Sequence, residues 1–433
     1  MQQVPNNFIN WFRFAAPYVK KHRGKTVLIA LPGEAVQHPN FINLVHDLAL
    51  LQSLGLRLVL VQGARPQIQQ LLDEAGTTAP IEQGIRVSTS EAMPFIINAC
   101  NAVKTELESA MSAGLADSPM HQLNLHTLSG NFVSAKPLGV RNGVDFQFTG
   151  EVRSIDTESI HRALDTGAAV LINTLGYSST GDVFNMSLSD LLSALAHRLE
   201  VEKVICFASR DTLTADFDHK VIKPSADSLP SFTNDDADSM LRAIAAAVRG
   251  GVPRAHVLGY EDDGALLKEL FTHDGSGLLI SNDEFLTIRD AALADVPGIL
   301  ELIQPLQESG ALVVRTREIL ESEIGHFSVV DIDDTIAGCG ALIALDHQHA
   351  EIACIAIHSE FQGRGYASNL LTALEKKAAS LGLQQVFVLS TQTAHWFTER
   401  GYSETSAEHL PGERQALYNS ERNSKVLYKQ ITL

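Results

Sequence analysis

The sequence predicts an α/β protein: an open, mainly parallel sheet with helices on both faces, followed by a second, smaller α/β domain. Three observations carry that prediction. Residues 26–31 and 57–61 are continuous apolar runs, the pattern of strands covered on both faces. Between them Phe41, Leu44, Val45, Leu48 and Leu51 recur at helical spacing, which makes a strand–helix–strand unit with a parallel crossover. A polar joint at 282–284 then precedes a fresh run at 285–289 that opens a second series of strands and helices.

Length and charge narrow the function classes. The 433 residues suit two domains, and a chain that is 45% apolar and 19% charged buries sizeable cores. The formal net charge of -18 repels nucleic acid and anionic lipid surfaces, so neither partner is expected, and an anionic substrate would need local Arg or Lys groups. Four cysteines, Cys100, Cys206, Cys339 and Cys354, stand apart without a CxxC pair. That spacing fits a reducing compartment and argues against zinc or a disulfide frame. The chain starts without a basic segment leading into an apolar core, and no apolar run reaches membrane-spanning length. A soluble, cytoplasmic protein without metal is expected.

Phe8, Trp11, Phe12, Ala15, Tyr18 and Val19 give the N-terminus an amphipathic aromatic helix, suited to covering a core or packing on another subunit. Further strands are expected at 168–173, 203–208, 254–260 and 278–280, and helices at 237–248 and 264–271. The first domain therefore covers residues 1–281 and the second 285–433.

The most informative stretch lies in the second domain. An apolar strand at 351–357 runs into His358-Ser-Glu-Phe-Gln-Gly-Arg-Gly-Tyr-Ala367, and Leu370, Leu371, Leu374 and Ala378 continue with helical spacing up to Gly382. A glycine-punctuated turn opening a helix presents unpaired N–H groups at the positive end of the helix dipole, which suits phosphate. Gln362, Gly363, Arg364, Gly365, Tyr366 and Ala367 resemble the pyrophosphate-binding signature of the GNAT superfamily of N-acetyltransferases. The resemblance implies that acetyl-CoA binds there, with the thioester carbonyl facing backbone N–H groups of Cys354, Ile355, Ala356 and Ile357, where strands of that superfamily splay.

Acetyl transfer to an amine needs a base for the ammonium and a donor for the departing thiolate. Glu351 begins the strand that feeds the turn and is the candidate base. The tyrosine that GNAT enzymes often use as the acid is absent from 391–397, which leaves Ser390 or Thr391. His395, beside Trp396, is expected to be structural. Arg315 and Arg317 on one side, and Arg422, Ser424 and Lys425 on the other, form two basic clusters suited to an acceptor with two carboxylates.

The first domain resembles the amino-acid kinase family, and within it the acetylglutamate kinases, through Leu31-Pro-Gly33, Leu60 to Ile68, Leu128-Ser-Gly130, 176–185 and 256–277. It departs where phosphoryl transfer needs cations. The position of the family's lysine is Ala30, and its second glycine turn is Gly63-Ala64-Arg65, so no kinase activity is expected. Arginine-inhibited kinases of this family share the N-terminal aromatic helix and the 255–277 stretch. That resemblance implies an L-arginine site at Tyr18, Lys203, His256, Glu269, Gly275 and Gly277.

The pairing of the two domains is similar to that of the bacterial N-acetylglutamate synthase family over essentially the whole chain. The resemblance implies acetyl transfer from acetyl-CoA to L-glutamate, inhibition by L-arginine, and a homo-oligomer, a hexamer. It also implies Glu351 as base, Ser390 as donor to the thiolate, and Arg315, the Cys354 backbone, Arg422 and Ser424 as the grip on glutamate. A GNAT enzyme with another amine acceptor, and a non-catalytic sensor of arginine and acetyl-CoA, are the competing readings.

Overall fold

The computed structural model describes residues 6–113, 126–212, 220–225, 229, 235–272, 275–281, 287–332, 335–363, 365–419 and 422–431. They form two compact units, Met1–Asp283 and Glu284–Leu433.

The first unit is built on an eight-stranded sheet. Thr26–Leu31 lies at its centre, parallel to Arg57–Gln62 on one side and Lys203–Ala208 on the other. All six of its residues are buried, as continuous apolar runs in a doubly covered strand require. Ala169–Asn173 and Thr127–Ser129 extend the parallel pairing outward, and Arg254–Gly259 extends it on the far side. Leu278–Ser281 then runs antiparallel to Arg254–Gly259, so the sheet is mainly, not wholly, parallel.

Alternate residues of these strands feed two cores. Ile29 and Leu31 face Leu48, Leu72 and Ile96, while Leu28 and Ala30 face Leu192, Leu195 and Ile244. Sequence periodicity misses a second element, a small closed barrel of Leu175–Tyr177, Val183–Met186, Thr149–Ile155 and Val133–Pro137. Its strands are short, without an apolar run to mark them.

The N-terminal helix spans Asn6–His22 and packs on the helix Ala265–Phe271. Ala15 is buried there, with Tyr18 and Val19 packed beside it; the side chains of Phe8, Trp11 and Phe12 lie outside the described residues. Asp47, on the helix Phe41–Ser53, is 9% exposed. Burial first, and the Asp263 charge second, push its carboxyl up to about 7.

The second unit is a seven-stranded sheet. Thr287–Asp290, Phe327–Ile332, Thr335–Ala344 and His349–Ile357 follow one another antiparallel. Gln385–Ser390 then pairs parallel to His349–Ile357 and antiparallel to Lys425–Gln430. The helix Tyr366–Ser380 covers one face through Leu370, Leu371 and Leu374, and Val296–Glu308 covers the other through Ile299 and Ile303. Two irregularities in His349–Ile357 position the site. Its pairing with Gln385–Ser390 ends at Glu351 and Phe387, so the two strands part from there on. Its register with Thr335–Ala344 also shifts between Cys339 and Ala341, opposite Cys354, which has a φ of 55°. A non-glycine residue in that left-handed region marks a bulge.

Candidate functional site

The bulge decides which side chains share a face. Ala350 and Ile352 point into the core under Tyr366–Ser380, and so do Ile355 and Ile357 beyond the bulge. Ala353, Cys354 and Ala356 point into the opposite core. Two consecutive residues on one side break the alternation, and Cys354 thereby joins the face to which Glu351 belongs.

Glu351 is 8% exposed and is met by Arg414, from the short helix Gly412–Ala416. Arg414 Nη2 donates to Glu351 Oε1 at 3.2 Å, and its Nε donates to Oε2. This contact, the largest influence on Arg414, raises the guanidinium further above its ordinary range. Nothing in the sequence around 412–416 marks Arg414; it becomes visible only when the strand and the helix are brought together.

The two basic clusters separate into buried and solvated members. Arg317 pairs with Glu321 and Lys425 with Glu404, all four well exposed, and such pairs contribute little. Arg315 is largely covered, with Nε 3.6 Å from Glu323 Oε2. Its charge acts on the thiols of Cys339 and Cys354, placing it beside the bulge. Arg422 Nη2 donates to the carbonyls of Gly310 and Ala311 at 2.9 and 3.3 Å, in the same loop that leads to Arg315. Tyr418 Oη donates to the Ser424 carbonyl at 2.7 Å.

The glycine turn has the geometry its sequence requires. Gly363 and Gly365 have φ of 79° and 82°, values natural to glycine, and Gly365 caps the helix Tyr366–Ser380. Gln362 Nε2 donates to the Ile357 carbonyl at 3.1 Å, tying the turn to the end of the bulged strand. Arg364 lies outside the described residues. Arg400 closes the far side: its Nε donates to Ser368 Oγ at 3.0 Å, and its guanidinium lies 4.0 Å above the Trp396 ring.

Ser390, at the end of Gln385–Ser390, is 8% exposed, whereas Thr391 is exposed. The Ser390 hydroxyl accepts from Thr393 N at 2.9 Å and lies 2.9 Å from Thr393 Oγ1. His395 is not structural packing. Its side chain is 88% exposed and pairs with Glu399, because it projects from the solvated side of a five-residue helix. Cys339 and Cys354, far apart in sequence, are neighbours: Cys339 Sγ lies 3.7 Å from the Cys354 carbonyl oxygen. All four cysteines are buried free thiols, and among the described residues no group of three or more His, Cys, Asp or Glu is placed to hold a metal ion.

In the first unit, Lys203 and His256, on two neighbouring interior strands of the sheet, converge with Glu269. Glu269 Oε1 lies 2.8 Å from His256 Nδ1 and 3.9 Å from Lys203 Nζ, and Oε2 accepts from Ser276 N at 2.9 Å. Burial alone would raise the Glu269 carboxyl, but these partners outweigh it and hold the group below its ordinary range. Burial is also the largest influence on His256 and lowers it, against the opposing pull of the Glu269 carboxylate. Glu269 is therefore not a solvated helix acid. Gly275 and Gly277 have φ of 62° and 69°. A Cβ at Gly277 would come within 2.1 Å of the Val257 carbonyl oxygen, so the backbone turn closes tightly on this cluster. Tyr18 belongs to the helix that packs on the Glu269 helix.

The C-terminal ends of the central strands open into a cavity of about 550 Å³ bordered by Gly33, Gly63, Ala64, Arg65, Arg86 and Asn185. Ala30, where the kinase family has its lysine, lies in the buried core behind it.

Residues 25–259 match the amino acid kinase family and 297–402 the acetyltransferase (GNAT) family. Amino-acid acetyltransferases of Pseudomonas putida (strain GB-1) and Azotobacter vinelandii (strain DJ / ATCC BAA-1303) are each 43% identical to this chain, over 98% of it and 100% of their own length. The chain belongs to the amino-acid acetyltransferase family. It is an acyltransferase, with a GNAT unit following an amino-acid-kinase-like one. Among solved structures, N-acetylglutamate synthase from Neisseria gonorrhoeae complexed with coenzyme A and L-arginine is similar to it, with a TM-score of 0.87 and 33% identity over 98% of this chain and 100% of that one. The same enzyme complexed with coenzyme A and N-acetyl-glutamate aligns with a TM-score of 0.61 over the same shares. Among the described residues no helix of this acetyltransferase is long and apolar enough to cross a membrane.

Proposed function

We propose that this enzyme transfers the acetyl group of acetyl-CoA to the α-amine of L-glutamate, in the cytoplasm, as a homohexamer inhibited by L-arginine. The observation that carries the reading is the bulged strand: it places Glu351 on the face of Cys354, near Arg315, and leads at its other end into the Gly363–Gly365 turn. The turn and the N-terminus of Tyr366–Ser380 take the pyrophosphate, with Gln362, Arg364, Tyr366 and Ala367 around it. The main-chain N–H groups of 354–357, beyond the point where the strands part, polarise the thioester carbonyl.

Glutamate is held by Arg315, Arg422, Ser424 and the Cys354 backbone. Glu351 accepts a proton from the glutamate ammonium, directly or through one water. The amine then attacks the carbonyl carbon, the C–N bond forms as the C–S bond breaks, and the leaving thiolate takes a proton from the Ser390 hydroxyl, which the proton shed by the new amide nitrogen restores. Burial favours Ser390 over Thr391 for that role. The kinase-like unit binds arginine, with Glu269 on the guanidinium, Lys203 and His256 toward the carboxylate, the Gly275 and Gly277 turn supplying main-chain contacts, and Tyr18 at the rim. It transfers no phosphate, because Ala30 and Arg65 replace what a phosphoryl group needs.

The test is thiol release on mixing the enzyme with acetyl-CoA and a panel of amino acids, with and without arginine. Release with glutamate, suppressed by arginine, supports the reading. Equal release with every amine would replace glutamate by a broader acceptor class, and no release would leave a sensor.

A further inference from the structure

The place where two strands part sets which side of the gap each reacting group occupies. Pairing between His349–Ile357 and Gln385–Ser390 ends at Glu351 and Phe387. Cys354 and Ser390 stand equally far beyond that last pair, from 351 to 354 on one strand and from 387 to 390 on the other. Val386 and Val388 point into the core under Tyr366–Ser380, whereas Phe387 and Leu389 join a separate cluster with Leu410 and Val426. Alternation therefore puts Ser390 on the side of the helix that follows the glycine turn. Glu351, between Ala350 and Ile352 of that same core, lies on the other side. A base and a proton donor on opposite sides of one gap suit an acyl group held between them.

Serine by itself is a poor acid for that work. An alcohol is a far weaker acid than a thiol, so giving its proton to a departing thiolate leaves the less stable anion on Ser390 Oγ. A group that donates to Oγ lowers that cost, and most strongly when the charge is present. Thr393 offers two such groups: its main-chain N–H donates to Ser390 Oγ at 2.9 Å, and its Oγ1 lies 2.9 Å from the same atom. A hydroxyl carries one proton and two lone pairs. With one lone pair taken by Thr393 N, the second accepts from Thr393 Oγ1 and the single Ser390 proton is left for the sulfur. The opposite direction would commit that proton within the pair. Ser390 is 8% exposed while Thr393 is exposed. Thr393 precedes the helix Ala394–Thr398 without its side chain capping it, so capping does not account for its hydroxyl.

We propose that Thr393 is a positioning residue for acetyl transfer: its hydroxyl donates to Ser390 Oγ, turns the serine proton toward the thiolate and, with its own N–H, holds the charge that develops on the oxygen. The proton passes from Ser390 Oγ to the sulfur as the C–S bond breaks. The proton shed by the new amide nitrogen then returns the serine to its neutral form. The proposal rests on the reading of Ser390 as donor to the thiolate and holds whichever amine is the acceptor.

Thiol release from acetyl-CoA with glutamate is measured for full-length wild type, Thr393→Val, Thr393→Ser, Ser390→Ala and the variant carrying both Ser390→Ala and Thr393→Val. Thr393→Val keeps the shape and the main-chain N–H but removes the hydroxyl. Its kcat is expected to fall about tenfold, with KM for acetyl-CoA and for glutamate changed less than about twofold, and Thr393→Ser to recover most of the loss. In the Ser390→Ala background the valine should bring no further loss, because the atom that Thr393 serves is gone. Wild-type kcat in Thr393→Val beside a slow Ser390→Ala would overturn the proposal and leave Ser390 in its role. Wild-type kcat in Ser390→Ala would remove Ser390 as the donor and the proposal with it. Equal losses in Thr393→Val and Thr393→Ser, or losses that multiply when Ser390→Ala and Thr393→Val are combined, would make the role of Thr393 one of packing and overturn the proposal as well.

Discussion

Arg414 grips the Glu351 carboxylate with one edge of its guanidinium, Nη2 on one oxygen at 3.2 Å and Nε on the other. The two residues are 63 positions apart in sequence, and the fork fixes the carboxylate's orientation in a way one ammonium could not. Glu351→Gln is expected to lower kcat well beyond about tenfold, with a smaller deficit at high pH, where the free amine is abundant without a base. Arg414→Ala should lower kcat by less, and Arg414→Lys should recover only part of the loss. Thiol-release rates between neutral and alkaline pH check all three; wild-type turnover in Glu351→Gln would remove it as the base.

The glycine turn gives a different signature. A Cβ at Gly365 meets nothing within 4 Å, yet its φ is 82°. Gly365→Ala therefore costs backbone strain of about 1 kcal/mol rather than a clash. The expected result is a KM for acetyl-CoA raised about fivefold, with kcat changed less than about twofold. A large fall in kcat with KM unchanged would show that the turn serves the chemistry and not the donor's grip.

Glu269 is the anionic centre of the cluster in the first unit, with His256 and Lys203 against it. Glu269→Ala is expected to raise the arginine concentration needed for half inhibition by at least about tenfold. Inhibition curves of the two proteins at equal glutamate and acetyl-CoA measure the effect, and superimposable curves would move the effector site elsewhere.

Asp47 predicts a pH dependence of stability. Its folded pKa, about 7 against an ordinary 3.8, is raised, so the folded chain retains a proton that the unfolded chain has released. Stability from this group falls as pH rises from about 4 through 7 and stays reduced above. A shift of about 3 units corresponds to at most about 4 kcal/mol. Asp47→Asn should melt higher than wild type at pH 8, with the gain shrinking toward pH 4; a gain independent of pH would assign it to another cause.

Much of the fold was legible because burial on both faces leaves an unmistakable mark. Thr26–Leu31 and Lys203–Ala208 are apolar at nearly every position, and the helix Tyr366–Ser380 ends at Leu381 and Gly382 as its spacing implies. The barrel strands escaped because Thr149–Ile155 is only partly buried and carries Thr, Glu, Arg and Ser among its seven residues. In the GNAT unit, Glu351 and Ser390 could be singled out because each lies on a strand recognisable by composition, Ser390 at its end and Glu351 two residues inside a strand that starts at His349. Arg414 could not, since its role comes from tertiary proximity alone. The sequence also presents Arg315, Arg317, Arg422 and Lys425 as equals, whereas ion pairs with Glu321 and Glu404 occupy Arg317 and Lys425 at the surface.

The left-handed turn at Cys354 makes the site sensitive to length as well as to composition. Removing Cys354 would let the strand resume strict alternation with Ile355 and Ile357 still on their present face, because the residue lost is the extra one opposite Gly340. What changes is reach: the glycine turn would be drawn toward Glu351 by one residue, about 3.3 Å of strand. Substitutions at this position alter single contacts, whereas the deletion would shorten the distance between the two ends of the site. The length of chain from Glu351 to the turn is a quantity that a comparison of residue types position by position would never register.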